Sequence, residues 1–519
     1  MDNPSARPDI PRLRRETHGA AFEAHGHPWL VWGVEDDQWH SVAGDREMID
    51  RYIEASRYIN ANCLAVHLPW ALIEPEPDRY DFSTVAYYLQ QVEKAGLKAV
   101  VYFTSANYAA GAMWFTPAYV REDDETYTKI QGDERWFRKT PWLGNPSLPV
   151  CPSNPRLLAR EAEAYRRLMA FIRDNDPNRN VLAVQVGGET NFFMALQDEW
   201  METKNEEIHC QCPWCSAAWQ GFAGTGLQFM TRQFSNHIKA VVQAGAAEYD
   251  LPVYTCAAPF EYGGGSWRYA EDLPYHKANL GRDNYFVGPS IAETNSVESF
   301  TREMDHYTPD KIPGNVAWTS GIDTGHGTPG SPQEVSPVVS WPHLEMAPWF
   351  IIFHYGGPGA IYWDHPDVSV TKPGKGAPVR EKFRAFWAPL RALSPVMDAA
   401  RGTPGFAWWH YGCESLACEL AGCTLEMRQP GGNYGFAFPD GDGAVVLAAT
   451  TYMGGATAFT LRRPGGWKGV SIQRGAYGPD GRWAPAQAVA AAVDGDCLAL
   501  RVAGDHGEAA RALYRITFS

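Results

Sequence analysis

Short runs of apolar, β-branched and aromatic residues alternate with longer segments of helical periodicity along the first three-quarters of the chain. The runs that predict strands are 29–34, 63–68, 99–104, 181–186, 253–257, 285–291, 315–319 and 359–363. The segments that predict helices are 45–59, 85–95, 155–173, 226–247, 297–306 and 347–354. Strand–helix alternation repeated eight times predicts a parallel (β/α)₈ TIM barrel.

The pattern differs at both ends of this region. Residues 13–26 alternate loosely and end in the turn His25-Gly26, which predicts a small β-hairpin on the barrel floor. Beyond 394, Gly- and Pro-rich turns separate short runs such as 444–450 and 497–502, as in an all-β sandwich. We therefore divide the chain into an extension with a hairpin (1–28), the barrel (29–394) and a β-sandwich domain (395–519).

Two connections, 105–154 and 189–227, are long and follow the third and fourth predicted strands. Active sites of such barrels are built from the loops that follow the strands, so long loops there favour an enzyme. The 13% of aromatic residues suit stacking on sugar rings as well as a large core.

Composition also bears on partners and location. The net charge of −15 argues against a nucleic-acid partner, which would need basic patches. No run of about 18 apolar residues is present, which predicts no membrane span. Because residues 1–15 lack the apolar stretch of a secretory signal, a cytoplasmic location is the expectation.

Glu189 follows the apolar fourth strand, 181–186, and is the leading candidate for chemistry. Glycosidic cleavage needs one carboxylic acid to protonate the leaving oxygen and a second carboxylate as nucleophile or as the base for water. A glutamate at the C-terminal end of a barrel strand meets the positional requirement for that acid. The alternative is a side chain that only caps the following loop.

Residues 70–82, with Trp70, Glu74-Pro75 and Tyr80, resemble the "W…EP…Y.F" segment of family 42 β-galactosidases, and residues 25–35 resemble the start of family 35. Both families belong to one barrel clan of glycoside hydrolases. The resemblance implies a β-galactosidase-like enzyme with Glu189 as the acid/base. The clan usually has Asn immediately before this Glu, where Gly188 stands here. Either Asn191 replaces that Asn, or the 2-position of the sugar differs, as in a β-mannoside.

Three cysteines form a C-x-C-x₂-C pattern at Cys210, Cys212 and Cys215. Structural Zn²⁺ takes four tetrahedral ligands, and the fourth could be Cys151 or, alternatively, His209. Family 42 has a similar pair of segments that together bind zinc, which favours Cys151. Four cysteine ligands would leave no open coordination position, so a structural zinc that pins two loops is expected and a zinc-dependent hydrolase is disfavoured. The remaining alternative is four unlinked thiols.

The resemblance implies a nucleophilic Glu at the end of strand seven, but Ser320 stands at about that place. The nearest acids are Asp323, which could instead form a turn, and Glu293 after strand six, which could instead bind a substrate hydroxyl. Retention is the expected stereochemistry, and a wider carboxyl pair would imply inversion. The missing Glu also leaves open a carbohydrate-binding barrel that has lost its nucleophile.

Aromatic and polar residues at or after strand ends are candidates for contacts with a carbohydrate substrate. They are Trp70, Asn107, Trp114, Asn191, Trp318 and Trp363, with His67 beside them. Trp318 is equally well explained as a core residue. The trimer-forming middle domain of family 42 has no counterpart in the short β-rich tail, so the sequence leaves a homo-oligomer open.

Overall fold

The computed structural model describes residues 10–16, 19–36, 44–105, 115–123, 125, 150–187, 203–256, 273–289, 304–323, 347–363, 371, 376–403, 407–409, 415–428, 434–441, 443–450, 456–503 and 511–519. The strands are β1 (Arg12–Glu16), β2 (Gly19–Ala24), β3 (His27–Trp29), β4 (Val31–Glu35), β5 (Cys63–Pro69), β6 (Lys98–Thr104), β7 (Val181–Val186), β8 (Val253–Cys256), β9 (Tyr285–Gly288), β10 (Thr319–Asp323), β11 (Gly359–Trp363), β12 (Ala407–Trp409), β13 (Ser415–Leu420), β14 (Cys423–Arg428), β15 (Tyr434–Pro439), β16 (Ala444–Thr450), β17 (Ala456–Arg462), β18 (Ser471–Tyr477), β19 (Trp483–Ala488), β20 (Ala492–Asp494), β21 (Cys497–Ala503) and β22 (Arg511–Thr517). The helices are α1 (Arg46–Tyr58), α2 (Trp70–Ile73), α3 (Ser83–Ala95), α4 (Ala118–Arg121), α5 (Pro155–Asn175), α6 (Pro213–Trp219), α7 (Gly226–Glu248), α8 (Leu273–Leu280), α9 (Gly376–Leu393) and α10 (Met397–Gly402), with a π-helical turn at Phe350–His354 and a 3-10 turn at Ser394–Val396.

Eight parallel strands, β4 to β11, form one sheet in the order β10-β11-β4-β5-β6-β7-β8-β9. Alternate residues face opposite sides of this sheet. In β5, for example, Cys63 and Ala65 belong to the interior cluster, whereas Leu64 and Val66 pack against the helices outside. Helices follow the strands and cover the outer face. The predicted (β/α)₈ barrel is confirmed.

Local sequence signals fix the starts of the two helices outside β6 and β7. At α5, the Asn154 side chain accepts hydrogen bonds from the first-turn N–H groups, and Pro155 occupies the first helical position. At α7, Thr225 and Gln228 form a capping box. These caps set the positions of α5 and α7, which pack against each other beside the candidate site described below.

The barrel is closed between β9 and β10 by side chains. Asn315 accepts a hydrogen bond from Val287 N at 2.9 Å, and its amide nitrogen donates to Val287 O at 2.9 Å and to Tyr307 O at 2.8 Å. Thr319 Oγ1 donates to Pro289 O at 3.0 Å. We call this junction the β9–β10 seam.

The seventh barrel strand lies later in the chain than the sequence predicts. The predicted strand was 315–319, whereas β10 is Thr319–Asp323. The Asn315 side chain takes the place of a backbone ladder along the first part of the predicted segment. At Gly288 a Cβ atom would lie 2.2 Å from Trp318 O, so glycine permits the close approach that completes the ring.

The N-terminal hairpin closes the floor of the barrel. Strands β1, β2 and β3 form an antiparallel sheet, and the predicted turn at His25-Gly26 has φ values of 52° and 76°, as type I′ turns require. The fully buried ring of Phe22 lies 5.6 Å from the Trp318 ring and 6.2 Å from the Phe286 ring, measured between centroids. The hairpin thus seals the interior directly below the seam.

Residues after the barrel form two antiparallel sheets, β12-β15-β16-β22-β18-β19 and β13-β14-β17-β21-β20. The two sheets share one core, as the predicted β-sandwich requires. In β16, Val445 and Leu447 face that core, while Val446 and Ala448 join the apolar cluster of the barrel helices. A strand buried on both faces explains why this segment is apolar throughout. Among the helices that the structure describes, none is long and apolar enough to cross a membrane.

Candidate functional site

A buried acid–histidine pair lies where β4 and β5 end. The Asp36 carboxylate accepts a hydrogen bond from His67 N at 3.0 Å and lies 2.6 Å from His67 Nδ1. His67 Nδ1 is also 2.9 Å from the Asp36 carbonyl oxygen, and because both partners only accept, Nδ1 carries the proton. Tyr88 donates to the other carboxylate oxygen. The imidazole is thereby held in one orientation, edge-on to the Tyr102 ring at 4.9 Å.

Strand β7 is followed by Gly187, which has a φ of +71°. A Cβ atom there would lie 2.7 Å from Ile238 Cδ1, so both the backbone conformation and the packing favour glycine. Glu189 comes two residues later and lies outside the described residues. The other predicted site residues outside the described ranges are Gly188, Asn191, Asn107, Trp114 and Glu293. Their roles stay predictions.

Strand β10 contains a bulge just before its end. The pairing with β11 shifts register between Thr319 and Ile322, so β10 has one residue more than β11 over the same length. A bulge changes which residues of a strand share a face. As a result Asp323 pairs with Trp363. Trp363 comes two positions after the interior residue Ile361, and alternate residues of a strand share a face, so Asp323 takes a register position of the interior face. Asp323 is therefore the last residue of a strand, at the edge of the barrel where active sites lie.

Two predicted substrate-contacting tryptophans are fully buried. Trp318 packs against Phe22 near the barrel floor. Trp70 begins α2, and its Nε1 donates to Glu74 Oε2 at 2.7 Å. These contacts favour a structural role for both tryptophans, because neither ring presents a face to the solvent.

The Glu74 carboxylate organises the segment that resembles family 42. Besides the Trp70 indole, it accepts a hydrogen bond from Asp78 N at 3.0 Å. Burial and the nearby Glu74 carboxylate raise the pKa of Tyr80, and Arg167 lies 4.5 Å above the Tyr80 ring. The Trp, Glu and Tyr of the motif are therefore joined around one buried carboxylate, which explains their spacing in structural terms.

Four buried cysteines from two distant segments meet beside α5 and α7. Cys151 precedes α5, and Cys210, Cys212 and Cys215 precede or begin α6. Their sulfur atoms all lie within 4.8 Å of one another. Cys151 Sγ is 3.4 Å from Cys212 Sγ and 3.5 Å from Cys215 Sγ. Four soft donors at such separations suit a tetrahedral ion with metal–sulfur bonds of about 2.3 Å.

His209, the alternative fourth ligand, is not part of this group. Its ring stacks on Trp219 with centroids 4.2 Å apart, and its Nδ1 lies 2.6 Å from Glu207 O. The position that the sequence left open between His209 and Cys151 is therefore occupied by Cys151 in the cluster.

The cluster alters the acidity of its thiols. Hydrogen bonds within the cluster, those with Cys151 foremost, lower the pKa of Cys212 and Cys210, whereas hydrogen bonds with Cys210 and Cys212 raise the pKa of Cys151 and Cys215. Cys63 provides the contrast, because burial at the barrel floor raises the pKa of its thiol to about 12. Thiolates are the form that binds metals, so the lowered pKa of Cys210 and Cys212 favours metal binding at the cluster, while the isolated thiol of Cys63 is a core residue.

A second buried acid–histidine pair lies between the cysteine cluster and the barrel. His237 Nε2 is 3.0 Å from Glu161 Oε2, and His237 Nδ1 is 3.0 Å from Pro152 O. Ser105, directly after β6, donates to Glu161 Oε1 at 2.6 Å. Burial lowers the pKa of His237, but the Glu161 carboxylate outweighs it, so the pKa is raised overall.

Neither Glu161 nor His237 is among the site residues predicted from the sequence. The available signal was Glu161 itself, which occupies the apolar stripe of α5 together with Leu157, Ala164 and Leu168. A carboxylate in such a stripe needs a buried partner, because an unpaired charge in the core is costly.

Comparison with known proteins gives fold-level likenesses only. No protein-family model matches the chain, and no curated protein matches it. Endo-glycoceramidase II from Rhodococcus sp. is 12% identical with a TM-score of 0.43, over 95% of this chain and 98% of that one. A β-galactosidase from Rahnella sp. R3 is 15% identical with a TM-score of 0.46, over 71% and 57%. A family 39 glycoside hydrolase from Bacteroides cellulosilyticus WH2 is 12% identical with a TM-score of 0.45, over 96% and 84%. At such scores these likenesses carry no conclusion about activity.

Proposed function

We propose that this protein is a glycoside hydrolase that cleaves a β-linked glycoside at the C-terminal edge of its barrel. Glu189 acts as the acid/base, and Asp323 is its partner. The observation that carries the proposal is the bulge in β10, because with it Asp323 has a register position on the interior face of the barrel at the end of strand seven. That is the strand on which the resemblance to family 42 leads us to expect the nucleophile.

In the proposed reaction the Glu189 carboxylic acid donates its proton to the glycosidic oxygen while the bond from that oxygen to the anomeric carbon breaks. The Asp323 carboxylate attacks the anomeric carbon and forms a glycosyl ester. The Glu189 carboxylate then removes a proton from the water that cleaves the ester, and the configuration is retained. If the carboxyl groups are instead about 6.5–9.5 Å apart, Asp323 would direct water and the configuration would invert.

Aryl β-glycosides with leaving groups of graded acidity test these roles. We expect Glu189→Gln to slow cleavage by about 10²–10⁴-fold with poor leaving groups and far less with good ones, since good ones need no proton. Asp323→Asn should lose activity with all of them, and Glu293→Gln is the matched control. If Glu293→Gln has the effect assigned to Asp323→Asn, the partner is Glu293. If the wild type cleaves none of the substrates but binds sugars, the protein is a carbohydrate-binding barrel.

We also propose that the sugar's 2-position is read loosely, because Gly188 stands where the clan has an Asn beside the acid/base. Comparison of a β-galactoside, a β-mannoside and a 2-deoxy-β-galactoside should therefore show little dependence on the 2-hydroxyl. A β-galactoside that is strongly preferred, and that loses most of its rate without this hydroxyl, would refute this part of the proposal.

We propose further that Cys151, Cys210, Cys212 and Cys215 hold a structural zinc ion. The support is the buried set of four sulfur atoms within 4.8 Å of one another. A full set of protein ligands leaves no position for water or substrate, so the ion would stabilise the surrounding segments and take no part in cleavage.

Zinc content after dialysis, measured in the wild type, Cys212→Ser and Cys63→Ser, tests this proposal. We expect about one equivalent in the wild type and in Cys63→Ser, and a loss of zinc and of thermal stability in Cys212→Ser. Less than about 0.3 equivalents in the wild type, together with unchanged stability in chelator, would contradict it.

A further inference from the structure

In the buried pair Glu161–His237, both carboxylate oxygens and both ring nitrogens have hydrogen-bond partners. Both acceptors that face His237, the Pro152 carbonyl and the Glu161 carboxylate, are within 3.0 Å of its ring nitrogens. Both nitrogens therefore donate, and the imidazole is an imidazolium. The second carboxylate oxygen of Glu161 accepts the hydroxyl of Ser105 at 2.6 Å.

One end of this chain of bonds reaches the cysteine cluster. Pro152 lies between Cys151 and Ser153 in the sequence, and Ser153 Oγ lies 3.2 Å from Cys215 Sγ. The other end is Ser105, the residue that follows the last position of β6. Three side chains thus connect the peptide that carries a candidate zinc ligand to the edge of the barrel where the candidate active site lies.

The burial of these groups makes the connection stiff. Glu161 is fully buried, and Ser105 and His237 are each 1% exposed. Water cannot replace a partner at such positions, so a displacement at one end must either move the next group or leave a charge unpaired.

We propose that Ser105, Glu161 and His237 form a positioning relay that couples the four-cysteine site to the end of β6. When zinc is bound at the cysteines, the Pro152 carbonyl is fixed, His237 and Glu161 are aligned, and Ser105 is held in place. The relay rests on the proposed zinc site and deepens the proposed function, since it lets the metal state of the protein set the geometry at the edge of the active site. All three are positioning residues.

Hydrogen exchange, followed by mass spectrometry, tests the relay on the full chain without any activity assay. Zinc-loaded and chelator-treated wild type are compared at the end of β6, with the end of β5 as the internal control. We expect zinc removal to speed exchange at the end of β6 more than at the end of β5. Equal exchange with and without zinc at the end of β6 would overturn the relay.

The coupling in the opposite direction, from Ser105 to the zinc site, is tested by the rate of zinc release to a chromogenic chelator. Ser105→Ala alters no cysteine and keeps the Glu161–His237 ion pair. It should speed zinc release by about tenfold, the lower end of the range for mutations of the outer-shell partners of metal ligands. Ser105→Thr keeps the hydroxyl and should restore the wild-type rate. Ser235→Ala is the matched control, because Ser235 is equally buried on α7 but bonds to Asn279.

The outcomes separate the proposals. Faster release in Ser105→Ala without glycoside cleavage by the wild type supports the relay and refutes the proposed function. Active protein with the same release rate in all variants refutes the relay alone. Should chelation unfold the chain, exchange rises everywhere, and the release rates decide because they start from the folded, zinc-loaded protein.

Discussion

The barrel is held together differently on two of its sides. Between β6 and β7 a backbone ladder runs from the pair Ala99–Val181 to the pair Phe103–Val186, and the Glu161–His237 pair stiffens the helices outside it. At the β9–β10 seam, the part of the chain that the structure describes has no backbone ladder. Side-chain hydrogen bonds and the packing of the hairpin replace it there.

This difference bears on the two candidate carboxylates. Glu189 follows β7, which has ladders on both edges, whereas Asp323 ends β10, which has a backbone ladder only with β11 among the described strands. An extra residue disrupts a ladder, so a strand without one on its second edge accommodates a bulge at lower cost. The β6–β7 ladder also contains a register shift, but it lies at the start of the ladder, between Ala99 and Val100, whereas the shift in β10 lies just before the end of the strand and gives Asp323 its position.

The largest expected effect comes from removing the aromatic ring below the seam. Phe22 is fully buried against the rings of Phe286 and Trp318, so Phe22→Ala should reduce the free energy of unfolding by about 3–5 kcal/mol. Denaturant titration measures the loss. Hydrogen exchange should rise mainly in β9 and β10, whereas the control Phe103→Ala, on the outer face of β6, should raise it around β6 and β7. The same exchange pattern in both variants would contradict the contrast between the two sides.

The seam also shows what hydrophobic patterning can and cannot predict. Val316, Ala317 and Trp318 are buried, so the segment has the composition of a strand. Periodicity reports burial, however, and does not reveal whether a backbone ladder or the side chain of Asn315 satisfies the neighbouring polar groups. The other seven barrel strands overlap the predicted runs because in them burial and ladder coincide.

The same limit applies to the site. The C-x-C-x₂-C spacing is local, and the sequence therefore indicates a metal site directly. Glu161 and His237 are 76 positions apart, and only the packing of α5 against α7 brings them together. The face on which Asp323 lies depends on one extra residue in β10, which no sequence pattern marks.

A smaller effect is expected when the polar bridge across the seam is removed. Asn315→Ala leaves the Val287 amide and two carbonyl oxygens without their partner, which should cost about 2–4 kcal/mol of unfolding free energy. Asn62 is the matched control, since it accepts from Trp32 N at 2.9 Å and donates to Leu30 O at 2.7 Å. A ladder between β4 and β5 continues beyond Asn62, so Asn62→Ala should leave exchange in β9 unchanged while Asn315→Ala raises it. No rise in β9 for Asn315→Ala would show that the seam does not depend on this side chain.

The smallest effect concerns pH and compares the buried histidines of the two sides. His276, on α8 beside β9, has no carboxylate within its hydrogen bonds in the described residues, and its Nε2 lies 2.6 Å from the Tyr285 hydroxyl oxygen. Burial lowers the pKa of His276 from 6.5 to about 4. The unfolded chain therefore takes up a proton near pH 6.5 and the folded chain only near pH 4. Stability falls as pH drops through this window, by up to about 3 kcal/mol, and the loss is absent above it.

His276→Gln removes the titrating group but keeps a hydrogen-bonding partner for Tyr285, so its unfolding free energy should fall less than that of the wild type between pH 7 and pH 5. Urea titrations across this range measure the difference. Tyr285→Phe, which keeps the imidazole, should retain the wild-type pH dependence. His237 should contribute no such acid sensitivity, because Glu161 keeps it protonated in the folded state. If His276→Gln and the wild type lose stability equally on acidification, then His276 is not neutral in the folded protein, and the electrostatic contrast between the two sides of the barrel does not hold.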